Sequence, residues 1–213
     1  MIRARITPLG DSAITMIFGN EIDESINQQV FSAFDYLQKQ NLDFIQDIIP
    51  AYASLSVVYD IAKIRRKGET NAYDYMHDLM KIVLQQSTSI VSAEKRMINI
   101  PVCYHELFGT DLIVMSRQKE LSVEEIIQLH SSVTYRVYML GFLPGFAYMG
   151  KVNGEIATPR KAVPDKNVLG GSIGIADAQD RHANQSPHHP GGGLPRDCPH
   201  LRAAIVLRDA RPG

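Results

Sequence analysis

The sequence predicts an α+β protein, and three observations carry that prediction. Over residues 1–90, period-2 and period-3.6 apolar patterns follow one another in a ββαββα order with short turns between strands. That order fits a sandwich with helices on one face of an antiparallel sheet. Beyond Gly141 the chain turns into short β segments punctuated by glycine and proline, as in a turn-dense β-barrel. Third, composition breaks along the chain: of the 15 Gly and 11 Pro, 7 lie in residues 1–140 and 19 in residues 141–213. Four of the seven His fall in the last 32 residues. The expected organisation is therefore an α+β sandwich over 1–90, a β-barrel over 91–179, and an aberrant tail over 180–213.

Residues 2–7 and 12–18 read as strands around the Leu9-Gly10-Asp11 turn, with Asp11 as a turn residue. Ile26, Val30, Phe34 and Leu37 recur at helical spacing and predict a helix over 23–39. Residues 45–49 and 52–59 read as two strands around Pro50. In the second, Leu55, Val57 and Tyr59 alternate with Ser54, Ser56 and Val58, giving one buried face. Tyr73, Met76, Met80, Val83 and Leu84 predict a helix over 71–86 with Thr70 as its N-cap. A strand follows over 97–102, then helices over 111–117 and 122–130. Ser122 and Glu125 have capping-box spacing, and Leu121 with Ile126 has that of a hydrophobic staple. Residues 134–140 and 172–176 read as strands.

The chain is 213 residues long, 45% hydrophobic and 21% charged, with a formal net charge of −1. Such a balance supports a soluble globular protein and gives no drive toward nucleic acid or anionic membrane. No apolar run reaches the roughly 18 residues of a membrane span, and the first residues lack a signal-peptide core, so a cytoplasmic location is expected. Cys103 and Cys198 are far apart in sequence and form no CxxC. The expectation is no disulfide scaffold and no zinc ribbon, with Cys103 a small buried hydrophobe. His182, His188, His189 and His200 lack periodicity and flanking carboxylates, so no metal site is expected.

The sharpest local motif is Gly141–Phe146 (GFLPGF), followed by Ala147-Tyr148. Two glycines bracket Pro144, so a tight turn with positive φ at Gly141 or Gly145 is open to it. Phe142, Phe146 and Tyr148 then form either a barrel-corner plug or a ligand-facing aromatic loop. Thr158-Pro159-Arg160-Lys161 and the glycine segment 170–174 make a second pair. The glycines lack the GlyLys-Ser/Thr of a Walker A loop. They could still offer N–H groups to an anion beside Arg160 and Lys161, or be a plain turn with a solvated basic edge. His130 ends a capped helix, where a histidine commonly complements the helix dipole. No nucleophile–base pair stands out.

Taken in order, residues 8–13 (PLGDSA), 48–55 (IIPAYASL), 100–104 (IPVCY), 129–131 (LHS), 135–146 (YRVYMLGFLPGF), 157–162 (ATPRKA) and 171–179 (GSIGIADAQ) resemble the 5-oxoprolinase B-subunit family. The family is also called allophanate hydrolase subunit 1 and includes Kip-type inhibitors of a sporulation histidine kinase. The resemblance covers residues 1–179. It implies an N-terminal ferredoxin-like α+β sandwich followed by a cyclophilin-like β-barrel. It also implies partnership with a homologous barrel protein (the 5-oxoprolinase C-subunit) and a third, lactam-hydrolysing subunit, in ATP-dependent opening of 5-oxoproline to glutamate. ATP, with Mg2+, is the implied cofactor. Positions matching the family's motifs are His130, Tyr135, Phe142, Pro144, Gly145, Phe146, Pro159, Arg160, Gly171, Ser172 and Gln179. From these and the adjoining Lys161, catalytic roles are assigned to His130, Arg160 and Lys161. Tyr135, Phe142, Pro144, Gly145, Phe146, Gly171, Ser172 and Gln179 are assigned to substrate or nucleotide. Leu169 and Asp177 depart from the family's proline and glycine, and Asp177 sets a carboxylate beside the anion site.

After Gln179 the family text stops, and no strand periodicity returns before Leu201. Reading Asp180-Arg181-His182 one base out of frame recovers Thr-Gly-Ile or Thr-Gly-Met, as the family pattern would continue. A frame-shifted tail is therefore expected, with a barrel incomplete at its end. Two alternatives to the enzyme subunit follow: a Kip-type kinase inhibitor, and a truncated non-functional product.

Overall fold

The computed structural model describes residues 4–87, 95–141, 146–159, 162–163, 172–176, 182–185 and 201–208. The chain divides into two compact units, Met1–Val91 and Ser92–Gly213.

In the first unit, strands β1 (Arg5–Pro8), β2 (Ala13–Ile17), β3 (Ile45–Pro50) and β4 (Ser54–Tyr59) form an antiparallel sheet in the order β1-β2-β4-β3. The hairpin between β1 and β2 turns at Gly10, whose φ of 66° suits a residue without Cβ. Helix α1 (Glu24–Gln40) joins β2 to β3, the short α2 (Ile61–Arg66) follows β4, and α3 (Ala72–Gln86) completes the unit. A ferredoxin-like βαββαβ chain would place a strand from beyond its second helix beside the first strand of that motif. Here the place beside β2 is taken by β1, delivered from the N-terminal side as a hairpin.

Alternation on the central strands selects the core. Ile14 and Met16 of β2 and Leu55, Val57 and Tyr59 of β4 are buried against Val30, Ala33 and Leu37 of α1 and Met76, Met80 and Val83 of α3. On the opposite face of the same ladder, Thr15 lies across from Ser56, and their hydroxyls are 2.8 Å apart. The apolar stripe of α1 contains one position that periodicity does not flag. Asn27 is fully buried because its amide donates to the carbonyls of Ala51 and Tyr52, tying α1 to the β3–β4 turn.

Caps set the helix ends. Asp23 accepts from the amides of Ser25 and Ile26 at the start of α1. Asn41 stops that helix in the left-handed conformation. At α3 the cap is Asn71, not the expected Thr70; its side-chain carbonyl oxygen accepts from Tyr73 and Asp74. The cap must sit one residue before the first helical position for its side chain to reach the N2 and N3 amides. Asp23→Ala should lower stability by about 1 kcal/mol in urea titration followed by circular dichroism. No change would mean that the cap bond is replaced by water at no cost.

The second unit contains β5 (Lys95–Val102), α4 (Leu112–Lys119), α5 (Val123–Ser131), β6 (Thr134–Leu140), β7 (Ala147–Gly150), β8 (Ile173–Ala176), β9 (His182–Gln185) and β10 (Leu201–Arg208). Its strands form one sheet in the order β5-β10-β6-β7-β9-β8, antiparallel apart from the parallel β10–β6 pair. These strands do not close into a barrel among the described residues. Closure needs the edge strands β5 and β8 to pair, and no ladder joins them among the described residues.

His182–Gln185 and Leu201–Arg208 are strands, and both occupy interior positions in the sheet. Strand pairing is made by backbone N–H and C=O groups, so a segment such as HANQ can pair without alternating apolar residues. Cys103 is half-buried and disulfide-bonded rather than a lone buried thiol. Spacing along the chain misleads here because β10 sets Leu201 opposite Val102, next to Cys103. No helix among the described residues is long and apolar enough to cross a membrane.

Candidate functional site

The assigned residues are distributed by the register of the second sheet. Helix α5 begins with the expected capping box, in which Ser122 and Glu125 bond each other's backbone amides. Ile126 is buried and Leu121 packs against the same cluster, as the staple spacing predicts. Eight residues past the cap, His130 lies in the last turn, and after a short turn Tyr135 enters β6.

His130 is only 5% exposed and Tyr135 1%. The Tyr135 hydroxyl donates to the His130 carbonyl at 3.0 Å, and the two rings lie 5.2 Å apart. From the segment after β5, Tyr104 places its hydroxyl 2.5 Å from His130 Nδ1, with its ring edge-on at 5.7 Å. The imidazole is thus held between two tyrosines. Tyr104 closes one of the sequence motifs but takes no role from it, because its partner lies 26 residues away and on another element.

Burial sets the protonation of this cluster. It pushes the His130 pKa down to about 4, since the cation is poorly solvated there. It pushes the Tyr104 phenol up to about 12. Tyr135 is also raised, by burial and then by Tyr104. At neutral pH His130 is uncharged and is no cationic complement to the α5 dipole, so the common role of a helix-terminal histidine does not apply. The folded protein binds its proton less readily than the unfolded chain, whose histidine titrates near 6.5. Stability should therefore be fully present above about pH 6.5 and fall by up to roughly 3 kcal/mol as pH drops toward 4. Urea midpoints measured between pH 7 and pH 4.5 should show that fall, and a folded His130→Gln variant should flatten it. An equal slope in both proteins would assign the acid loss to other groups.

The aromatic motif forms the β6–β7 hairpin. The Gly141 amide donates to the Phe146 carbonyl at 3.1 Å, closing the loop. Gly141 does so without positive φ. Phe146 meets Tyr148 edge-to-face with centroids 4.9 Å apart. Ala147 of β7 pairs with Gln185 of β9, which pairs with Ile173 of β8. The hairpin mouth and half-buried Ser172, next to Ile173, therefore share one end of the sheet. His130 and Tyr135 belong to the other end: Tyr135 and Leu140 are five steps apart on β6, about 17 Å along the strand.

One further anchor is not legible from sequence. The Lys119 ammonium donates to the Ala157 carbonyl at 2.5 Å, fixing the segment that leads into Thr158-Pro159. Phe142, Pro144, Gly145, Arg160, Lys161, Gly171 and Gln179 lie outside the described residues.

The chain thus comprises two compact α/β units, the second built on a largely antiparallel sheet that carries the tyrosine-held histidine. The chain belongs to the family described as carboxyltransferase domain, subdomain C and D, which matches residues 4–192. That match continues past Gln179, where the sequence motifs end. More particularly, the chain is 36% identical over 181 residues to the 5-oxoprolinase B-subunit of Bacillus subtilis (strain 168), covering 84% of this chain and 75% of that protein. It is 31% identical over 179 residues to the 5-oxoprolinase B-subunit of Escherichia coli O157:H7, covering 84% and 78%. Among solved structures it resembles TTHA0988, with a TM-score of 0.67 and 25% identity over 91% of this chain. This chain spans about a third of TTHA0988, 34% of its length.

Proposed function

We propose that this protein is the B-subunit of an ATP-dependent 5-oxoprolinase, acting with a homologous C-subunit and a third, lactam-hydrolysing subunit. The observation that carries the reading is the 36% identity to a 5-oxoprolinase B-subunit over most of both chains. A lactam carbonyl is a poor electrophile, and opening it calls for activation of its oxygen. ATP, bound with Mg2+, would supply a phosphoryl group for that oxygen. The chain's own contribution is electrostatic: Arg160, Lys161 and the Gly171 amide at the phosphates, and His130 as a polar group at the reacting carbonyl.

The separation along β6 supports a division of the site in this reading: Phe146 and Ser172 take the nucleotide end, and His130 with Tyr135 the reacting end. Phe146→Ala should then raise the KM for ATP and leave that for 5-oxoproline unchanged. Arg160→Ala should slow turnover on the order of 100-fold, as for loss of a charge-stabilising donor. The reading as a whole is tested by co-expressing this chain with the C-subunit and the third subunit and assaying ATP-dependent loss of 5-oxoproline. Soluble, associated subunits without turnover would remove it.

A further inference from the structure

We infer that Tyr104 is a positioning residue that holds His130 in the tautomer protonated at Nε2, so that the ring offers a hydrogen-bond donor, and not a general base, to a ligand oxygen. The direction of the 2.5 Å contact between the Tyr104 hydroxyl and His130 Nδ1 decides the tautomer. A phenol O–H is an acidic donor. The in-plane lone pair of an unprotonated ring nitrogen is a strong acceptor, whereas the phenol oxygen shares its electrons with its own ring and accepts weakly. The pair is therefore strongest as O–H to Nδ1.

With Nδ1 occupied by an incoming hydrogen bond, the ring's own hydrogen must sit on Nε2. Burial excludes the doubly protonated cation at neutral pH, so no third state competes. The surroundings of the ring are defined as well. The His130 backbone is the last turn of a capped helix, its carbonyl is bound by Tyr135, and its ring contacts both tyrosines. No described residue bonds Nε2. A neutral imidazole fixed as a donor can polarise a carbonyl or bind a phosphoryl oxygen, and it cannot accept a proton through Nε2 while that hydrogen is in place. The ligand named in this inference rests on the oxoprolinase reading; the tautomer does not.

The test is histidine side-chain nitrogen NMR on the full chain labelled with 15N-histidine, near pH 7. The His130 signals are identified by their through-space contacts to Tyr104 and Tyr135. The expected spectrum has Nδ1 in the unprotonated, pyridine-type range and Nε2 in the protonated, pyrrole-type range. In Tyr104→Phe the two signals should move toward one another as the tautomers mix. Nδ1 in the pyrrole-type range, or averaged signals in the unsubstituted protein, would overturn the inference. So would a Tyr104→Phe spectrum with the two nitrogens unmoved. If Tyr104→Phe does not fold, the spectrum of the unsubstituted protein decides alone. Activity is not read, so the oxoprolinase assignment can fail while the tautomer stands, and an active enzyme with the wrong tautomer would remove this inference only.

Discussion

Replacing His130 with alanine should slow the assembled oxoprolinase at least about 100-fold in turnover, the low end of what a donor aimed at a developing oxyanion contributes. The effect should fall on kcat more than on KM, because a donor to the developing negative oxygen acts mainly in the transition state. His130→Gln should lose less than His130→Asn. A glutamine amide reaches near the Nε2 position and keeps a donor there, whereas asparagine reaches only as far as Nδ1. Each variant also disturbs a buried site and removes the partner of the Tyr104 hydroxyl, so thermal melts and subunit association are measured alongside. A stable, associated His130→Ala enzyme at full rate would remove His130 from the chemistry and leave the tyrosine cluster a purely structural one.

The largest stability loss is expected from Leu55→Ala, at about 2–5 kcal/mol. Leu55 is fully buried on β4, which lies between β2 and β3 and faces both long helices. Removing its branched end leaves a cavity in the close-packed layer between sheet and helices, which small shifts of those elements fill only in part. Such a loss is a large part of the about 5–15 kcal/mol that holds an ordinary domain folded. Ile49→Ala on the neighbouring strand is the control. Ile49 is 47% exposed, and its loss should stay within about 0.5 kcal/mol. Urea titration of both variants reads the difference, and similar midpoints would contradict the division of the sheet into a packed and an open face.

The first unit is largely legible in sequence because its elements announce themselves locally. Leu55, Val57 and Tyr59 alternate on a strand, and Val30 and Leu37 recur on a helix, so periodicity alone names their buried faces. Asn27 escapes the same reading. A polar residue on an apolar stripe is tolerated only where carbonyls happen to meet it, and those of Ala51 and Tyr52 come from another part of the chain. The second unit is less legible for a related reason. Its sheet interleaves strands distant in sequence, with β10 between β5 and β6 and β9 between β7 and β8. A strand as short and polar as HANQ carries no signal of its own.

The candidate site divides in the same way. Sequence motifs identify His130, Tyr135, Phe146 and Ser172, but not that the first two share one end of the sheet and the last two the other. Register makes that assignment, through the pairings of Ala147, Gln185 and Ile173. Tyr104 gains its role only from folding.

By itself, then, the amino-acid sequence determined which residues form the longer helices and most strands, which faces of the first unit are buried, and to which family the chain belongs. These depend on local spacing and on ordered motifs, both of which are written along the chain. The tertiary structure alone decided that the second sheet stays open among its described strands, that His130 with Tyr135 and Phe146 with Ser172 lie toward opposite ends of it, and that His130 is neutral and held by tyrosines. Those properties depend on strand pairing and burial between residues far apart in sequence, where no periodicity records which group will meet which.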